Sequence, residues 1–333
     1  MTYLGIDIGG ANLKVADGRG WAHAVSFPHW RDPAGLADAL AELIRAAPRA
    51  DGFAVTMTGE LADCYQNKAE GVRSILDAVE RALPRRPIVV YLVDGRLVSL
   101  DEAREAPYLA AASNWHALAR FACRLAGDGL LLDIGSTTTD IVPLADGNPA
   151  PAAFSDTERL VAGELVYTGV GRTPICAVVR ALPWRGRVCP VAAELFATTA
   201  DAYLLLGEIT EEPEASWTAD GRPLTAAFAR ARLARMVCAD ERSFDERDGA
   251  EAAAFVRETQ FRQLCGAVGE VVARMAREPE CVVVSGSGEW LAGQIARRAL
   301  GAARVFSLAT EIGPVASQCG PAHALAALAS SGR

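Results

Sequence analysis

Apolar and polar residues follow two alternating patterns along this chain. Continuous apolar runs at 3–8, 52–58 and 86–93 are typical of strands that are covered on both faces. Between them, 36–47 and 71–83 repeat apolar residues at the spacing of a helix face, which predicts amphipathic helices. Alternating strands and helices predict an α/β fold with a partly parallel sheet.

The same two patterns continue to the C-terminus. The further predicted elements are strands at 13–16, 130–134, 139–144 and 303–309, helices at 108–126 and within 222–277, a strand–turn–helix unit at 281–300, and a closing helix at 313–330 that is interrupted near Pro321.

One short motif occurs twice, near the start of the chain and again near its middle. DIGGANLK begins at Asp7 and DIGSTTTD begins at Asp133, each at the end of an apolar run, and Lys14 aligns with Asp140 without a gap. An ordinary β-turn explains either copy alone. Two copies in the same order predict two related domains. We place them at 1–128 and 129–309, with a C-terminal helix at 310–333 packed back on the first.

The turns in both copies have the composition of an anion site. Turns rich in Gly, Ser and Thr leave backbone N–H groups pointing outward, and hydroxyls add further donors. A carboxylate repels phosphate directly, so Asp7 and Asp133 are useful there if they hold a hydrated Mg²⁺ that bridges to it. We therefore predict a magnesium–diphosphate clamp between two facing turns. The predicted phosphate-binding turn residues are Gly9, Gly10, Asn12, Gly135, Ser136, Thr137, Thr138 and Thr139.

Four residues outside the repeated motif are further candidates for the anion site. Lys68 in QNKAEG and Arg172 in GVGRTP are basic residues in polar segments, although a lone basic residue in a loop is more often a solvated surface charge. Gly286 and Gly288 follow an apolar strand and precede a helix. A helix N-terminus after glycine binds anions, and the alternative is a plain strand-to-helix turn.

The composition argues against several classes of partner. The chain has 333 residues, 51% of them apolar, and 33 Lys and Arg against 41 Asp and Glu give a net charge of −8. Such a balance repels nucleic acid and anionic lipid. No apolar stretch reaches the ~18 residues of a membrane span. Eight cysteines without a Cys-x-x-Cys pair and four scattered histidines argue against zinc. We expect a cytoplasmic protein with small-molecule partners, and a homodimer is left open.

Three motifs carry a family resemblance across nearly the whole chain. DIGGANLK, DIGSTTTD and VVVSGSGEW resemble, in this order, the phosphate and nucleotide motifs of the sugar kinase, Hsp70 and actin superfamily. That resemblance implies two related ribonuclease H-like domains with a ligand cleft between them. TGVGRTP at 168–174 and TTADAYLLLG at 198–207 resemble the hydantoinase A and oxoprolinase branch.

A narrower resemblance points to one-carbon metabolism. TMTGELADCYQNKAEGV at 56–72 and AAASNW at 110–115 are similar to a protein family linked to tetrahydromethanopterin-dependent one-carbon transfer, which includes a methanofuran-biosynthesis synthase. The resemblance implies a transferase (EC 2.5.1-type) that displaces diphosphate from an aminomethylfuran diphosphate by the phenol of γ-glutamyltyramine. Lys14 and a Mg²⁺ near Asp7 and Asp133 would neutralise the leaving group.

The acceptor phenol needs a base, because a free phenol has a pKa near ~10. Asp63, Asp140 and Asp201 all lie in polar motifs beside apolar segments, and their spacing does not distinguish them. Two other functions share this fold. One is an ATP-dependent small-molecule kinase or a cyclic-amide hydrolase of the hydantoinase or oxoprolinase type. The other is a nucleotide-binding accessory protein without catalysis.

Overall fold

We analysed a computed structural model of the chain, which describes residues 1–83, 86–301 and 303–331. The last two residues of the predicted C-terminal segment, 332 and 333, lie outside the described residues.

The first part of the chain forms a six-stranded sheet with helices packed on it. The elements are β1 (Tyr3–Ile8), β2 (Asn12–Ala16), β3 (Ala22–Ser26), α1 (Leu36–Arg45), β4 (Gly52–Met57), α2 (Lys68–Ala82), β5 (Ile88–Tyr91), β6 (Leu97–Val98), α3 (Leu100–Glu105), α4 (Pro107–Ala110) and α5 (Asn114–Ala126). The strand order is β3-β2-β1-β4-β5-β6. β1, β4 and β5 are parallel, whereas β2, β3 and β6 run antiparallel to their neighbours.

The remainder of the chain forms a second sheet and the closing helices. The elements are β7 (Gly129–Ile134), β8 (Thr139–Ala145), β9 (Asn148–Pro149), α6 (Asp156–Val161), β10 (Leu165–Val166), α7 (Ile175–Val178), β11 (Ala181–Trp184), β12 (Arg187–Pro190), α8 (Thr199–Leu205), α9 (Ala226–Met236), α10 (Glu246–Val272), β13 (Cys281–Ser285), α11 (Glu289–Leu300), β14 (Arg304–Ser307), α12 (Leu308–Ile312), α13 (Pro314–Gln318) and α14 (Gly320–Ser331). The strand order is β10-β8-β7-β13-β14, with β9 beside β8, and β11 pairs with β12 in a separate hairpin.

The two large sheets have the same topology. β1, β4 and β5 in the first correspond to the parallel strands β7, β13 and β14 in the second, and each sheet adds two antiparallel strands beside its first parallel strand. This is the ribonuclease H-like arrangement. The predicted fold class, α/β with two related domains of the actin, Hsp70 and sugar kinase type, is therefore confirmed.

The repeated motif forms the same hairpin in both sheets. Asp7 lies opposite Lys14 in the β1–β2 register, and Asp133 lies opposite Asp140 in the β7–β8 register. The Gly9 N–H donates to the Asn12 carbonyl at 3.0 Å, and the second turn repeats this bond between Gly135 and Thr138 at 2.8 Å. Equivalent residues in the sequence are thus equivalent in space.

α14 returns to the first sheet, whereas α5 contacts the second. A Cβ added to Gly5 of β1 would clash with the carbonyl oxygen of Ala322, so glycine permits this close approach of helix to strand. Trp115 and Leu118 of α5 share an apolar cluster with Leu131 of β7. The domain limits at 128 and 309 stay a prediction, because α5 connects the two cores.

The predicted helix at 108–126 is wrong in one respect, because it is broken between α4 and α5. Ala112 has a φ of +47°, and Ser113 precedes the first turn of α5. The buried Ser113 hydroxyl pairs with the Thr56 hydroxyl at 2.8 Å and donates to the Tyr91 carbonyl at 2.9 Å. These tertiary hydrogen bonds satisfy a polar group that an uninterrupted helix would bury unpaired.

Other differences are local. The predicted strand at 303–309 ends at Ser307, because the Ser307 hydroxyl caps α12 by accepting the Thr310 N–H at 3.0 Å. The interruption near Pro321 lies at Cys319, and Pro321 itself is tolerated in the first turn of α14. The β11–β12 hairpin and the edge strands β3, β6, β9 and β10 had no counterpart among the predicted elements.

Candidate active site

Two acidic residues end the central strands of the two sheets. Asp7 at the end of β1 is 5% exposed, and its Oδ1 has no hydrogen-bond partner among the described residues. Burial raises the pKa of Asp7, and the Lys14 ammonium opposes this rise. Asp133 at the end of β7 accepts a hydrogen bond from the Ser285 hydroxyl at 2.7 Å.

The two strand ends share one electrostatic environment. Burial and the Asp140 carboxylate raise the pKa of Asp133 to about 6, with a further contribution from Asp7, and Ser285 and Lys14 oppose the rise. Asp7 and Lys14 belong to the first sheet, so charges at the end of β1 and on β2 act on the carboxylate at the end of β7. The structure brings together Asp7, Lys14 and Asp133, three of the residues predicted for the clamp.

Glycines after β13 make room for the Asp133 carboxylate. Gly286 has a φ of +90°, and a Cβ there would lie 2.7 Å from Asp133 Oδ1 and overlap the Ile134 carbonyl. The Gly288 N–H donates to that same carbonyl at 2.8 Å, and its own Cβ would lie 2.7 Å from the Ile134 side chain. Both glycines are therefore required by packing, and Gly286 also borders the site.

The TGVGRTP segment holds the second turn in place. Gly171 and Arg172 both donate their backbone N–H to the Ser136 carbonyl, at 2.9 and 2.7 Å. The Arg172 guanidinium donates to the Thr137 hydroxyl at 2.8 and 3.0 Å. Burial lowers the pKa of Arg172. Arg172 thus lies on the predicted phosphate turn, where its guanidinium contacts a turn hydroxyl.

Thr139, by contrast, does not point to a ligand. Its side chain is fully buried, and its hydroxyl donates to the Thr168 carbonyl at 2.8 Å. The prediction that Thr139 binds phosphate is corrected to a structural hydrogen bond between β8 and the segment after β10.

The first turn is more open. The Phe27 N–H donates to the Ala11 carbonyl at 2.9 Å, and the His29 N–H donates to the Gly10 carbonyl at 3.1 Å. Apart from its chain neighbours, no atom of the described residues lies within 4 Å of a Cβ built on Gly10, and Asn12 is exposed. One side of this turn therefore remains accessible to a ligand.

None of the three predicted bases has the surroundings of a base. Asp140 pairs with the Arg159 guanidinium at 2.9 Å, and Asp201 pairs with Arg232 at 2.7 Å in a fully buried contact. Asp201 also caps α8 by accepting the Thr198 N–H at 2.9 Å. Asp63 is exposed on the loop after β4. Asp140 and Asp201 are corrected to structural ion pairs, because their charges are already compensated.

Lys68 also has a partner. It begins α2 and forms an ion pair at 3.1 Å with Asp156, which begins α6 in the other half of the molecule. Lys68 therefore bridges the two halves, and the prediction of a free anion contact is corrected. Lys14 and Lys68 are the only lysines among the 33 basic residues.

Sequence reasoning missed Glu60, which lies just beyond the end of β4. It is 2% exposed, and its Oε2 has no hydrogen-bond partner among the described residues. Burial raises the pKa of Glu60 to about 7, Lys68 opposes the rise, and Asp156 adds to it. The available signal was an acidic residue and a glycine just after an apolar strand, although here the glycine precedes the acid.

A cavity of about 410 Å³ adjoins the second strand end. Its lining includes Gly286, Ser287, Trp290, Arg297 and Gln318. Gly286 therefore borders both this cavity and the Asp133 carboxylate.

Metal and membrane features complete the description. Among the residues that the structure describes, no cluster of three or more His, Cys, Asp or Glu side chains is arranged to hold a metal. A two-carboxylate site is nevertheless sufficient for Mg²⁺, which keeps several water ligands and takes others from phosphate. In the same part of the chain, no helix is both long and apolar enough to cross a membrane.

Paired turns on two ribonuclease H-like sheets define the fold class of sugar kinases, Hsp70 and actin. The chain belongs to the hydantoinase/oxoprolinase family, whose family model matches residues 51–329. This confirms the branch that the TGVGRTP and TTADAYLLLG motifs predicted.

Two curated relatives match the chain, one of them over nearly its full length. The chain is 35% identical over 334 residues to the (4-{4-[2-(gamma-L-glutamylamino)ethyl]phenoxymethyl}furan-2-yl)methanamine synthase of Methanocaldococcus jannaschii, covering 98% of this chain and 97% of the relative. It is 38% identical over 111 residues to the protein of that name from Methanococcus vannielii, covering 33% of this chain and 50% of the relative. The nucleotide-free structure of an acetone carboxylase matches with a TM-score of 0.61 at 11% identity, over 98% of this chain and 70% of that one, and shows the fold alone.

Proposed function

We propose that this protein is a transferase of methanofuran-type cofactor biosynthesis. It joins an aminomethylfuran diphosphate to γ-glutamyltyramine, forming an aryl ether and releasing diphosphate. The observation that carries the proposal is the 35% identity over nearly full length to the synthase of Methanocaldococcus jannaschii, whose name describes a phenoxymethylfuran product.

The leaving group sets the main electrostatic requirement. Diphosphate gains negative charge as its bond to the furanylmethyl carbon breaks, and preorganised donors and cations stabilise that charge. Lys14 on β2 and Arg172 beside Thr137 supply positive charge at the turns. The accessible side of the first turn, at Gly10, leaves room for phosphate oxygens.

Asp7 and Asp133 fit a magnesium ion. The buried Asp7 Oδ1 lacks a hydrogen-bond partner among the described residues, which leaves one oxygen for a cation or its water. The repulsion among Asp7, Asp133 and Asp140 is of the kind that a divalent cation relieves. When bound, magnesium would neutralise diphosphate charge. The chain's own residues would orient the furan carbon toward the acceptor.

A product assay tests the proposal. The purified protein receives aminomethylfuran diphosphate and γ-glutamyltyramine, with and without ATP, and mass spectrometry follows the ether while a separate assay follows diphosphate. The Methanocaldococcus jannaschii relative is the positive control for competent substrates. We expect one diphosphate per ether and no need for ATP. The proposal is contradicted if this protein makes no ether while the control relative is active. It is also contradicted if ether formation requires ATP.

A further inference from the structure

Glu60 is a buried carboxylate that the fold leaves unsatisfied. Its side chain is 2% exposed, and Oε2 finds no hydrogen-bond donor among the described residues. A buried acidic group without full pairing costs free energy, so its presence calls for a reason other than stability. The acids that serve structure here, Asp140 and Asp201, both pair with a buried arginine.

The backbone places Glu60 beside the first phosphate turn. β4 lies next to β1 and runs parallel to it, so their carboxyl ends meet at one edge of the sheet. The N–H groups of Thr58 and Gly59 both donate to the Ile8 carbonyl, at 2.9 and 3.1 Å. A Cβ built on Gly59 would lie 3.3 Å from the Gly9 backbone. Glu60 therefore follows immediately after a residue that touches the turn.

Elements from both halves of the molecule surround the Glu60 carboxylate. The Ala112 backbone, in the break between α4 and α5, helps to hold down the pKa of this carboxylate. The charged groups that act on it are Lys68 from α2 and Asp156 from α6. His29 also packs against Gly59, and its Nε2 pairs with the Tyr65 hydroxyl at 2.7 Å. Glu60 thus lies beside the first turn, where charged groups from both halves of the molecule act on it.

We propose that the Glu60 carboxylate accepts the phenol proton of the acceptor as the ether bond forms. This inference rests on the proposed function. In the step, the phenol oxygen forms a bond to the furanylmethyl carbon, and the bond from that carbon to diphosphate oxygen breaks. The electron pair of the broken bond leaves with diphosphate, and the proton moves to Glu60 and then to solvent.

The chemistry of the two groups fits this transfer. A phenol with a pKa near ~10 is ionised to only about 0.1% at pH 7, so a base raises the supply of nucleophile. A base acts best when its pKa is near the working pH. Burial raises the pKa of Glu60 to about 7, whereas an ordinary carboxylate is a much weaker base.

Glu60→Gln is the primary test, because it removes the charge and keeps the size of the side chain. We expect a loss in kcat of about 100- to 10,000-fold, the range for a removed general base. The rise in wild-type kcat through about pH 7 should disappear in the variant. Glu42→Gln, the same substitution on the exposed face of α1, is the matched control and should keep wild-type kcat.

An acceptor with a ring-fluorinated, more acidic phenol separates proton transfer from a structural role. If Glu60 takes the proton, the ratio of wild-type kcat to Glu60→Gln kcat shrinks at least tenfold with this acceptor, because its phenol ionises without help. Diphosphate affinity and melting temperature should show that the variant is folded and binds ligand. A Glu60→Gln rate within threefold of wild type overturns the inference, as does an equal loss with both acceptors. If the wild-type protein makes no ether beside an active control relative, the proposed function fails and this inference falls with it.

Discussion

Lys14 and Asp140 occupy equivalent positions on two copies of one hairpin, opposite Asp7 and Asp133 respectively. The ammonium opposes the rise in the pKa of Asp7, whereas the Asp140 carboxylate raises the pKa of Asp133. The two halves of the site are therefore electrostatically unequal, although their backbones match. Asp140 turns to Arg159, so Lys14 is left as the cation that acts on both Asp7 and Asp133.

The first prediction concerns Lys14. Lys14→Met should weaken diphosphate binding roughly 10- to 100-fold, since a hydrogen bond to a charged group contributes about 1.5–3 kcal/mol. Titration calorimetry with Mg²⁺ present measures this. The lysine content offers an independent check, because Lys14 and Lys68 are the only lysines. Diphosphate should protect Lys14 from acylation, read by mass spectrometry; equal labelling with and without it argues against contact.

The second prediction concerns Gly286. Its φ of +90° and the 2.7 Å separation between an added Cβ and Asp133 Oδ1 mean that Gly286→Ala should destabilise the fold by more than about 1 kcal/mol. Gly266→Ala is the matched control, because that glycine lies within α10 with open space around it. Alanine there should stabilise by up to about 1 kcal/mol. Thermal melting of both variants measures these two stability changes, which should have opposite signs. Equal melting temperatures of the two variants would refute the prediction.

The third prediction is a pH-dependent gain in stability from Glu60→Gln. In the folded protein the pKa of Glu60 is about 7, above the ordinary 4.5, so the folded state keeps a proton that the unfolded chain loses. Wild-type stability therefore falls as pH rises from about 4.5 to 7 and then levels off. Glutamine stays neutral, so the variant avoids this loss.

The gain should be about 1–3 kcal/mol at pH 8 and should shrink toward zero near pH 4.5. Melting curves of wild type, Glu60→Gln and the exposed control Glu42→Gln between pH 4.5 and 8 provide the measurement. A difference that is constant with pH would assign the effect to packing instead of charge.

The fourth prediction concerns the ion pair that joins the two halves. Lys68 lowers the pKa of Glu60 and Asp156 raises it. Lys68→Met should therefore move the midpoint of the rise in kcat with pH upward by about one pH unit. Asp156→Asn should move this midpoint downward by a similar amount. Shifts of opposite sign would not follow from loss of the Lys68–Asp156 pair alone, because both variants break it. If both variants shift this midpoint in the same direction, the rise in kcat with pH does not report the ionisation of Glu60.

The hairpins could be predicted from sequence because their signal is local. An apolar run that ends in Asp, Gly and small polar residues specifies a strand and a tight turn, and the alignment of Asp7 with Asp133 is reproduced in the registers. These features depend on neighbours in sequence, so they needed no knowledge of tertiary contacts.

The surroundings of the acids could not be predicted, because they depend on residues far along the chain. The sequence made Asp201 a candidate base, but Arg232 of α9 pairs with it in the structure. The pKa of Glu60 depends on Lys68 in α2, on Asp156 in α6 and on the backbone at the Ala112 break. The break itself follows from hydrogen bonds between Ser113 and residues of β4 and β5. Helical spacing gave no sign of them.

The central claim is that Asp7 and Asp133 hold diphosphate jointly through Mg²⁺. Calorimetric titration of diphosphate into wild type, Asp7→Asn and Asp133→Asn, with Mg²⁺ and with EDTA, tests it most directly. Asparagine keeps the local turn geometry and removes one charge, so both variants should fold. We predict that Mg²⁺ strengthens wild-type binding at least tenfold and that either substitution abolishes this gain. Folded variants that both retain the full magnesium-dependent gain would contradict the clamp.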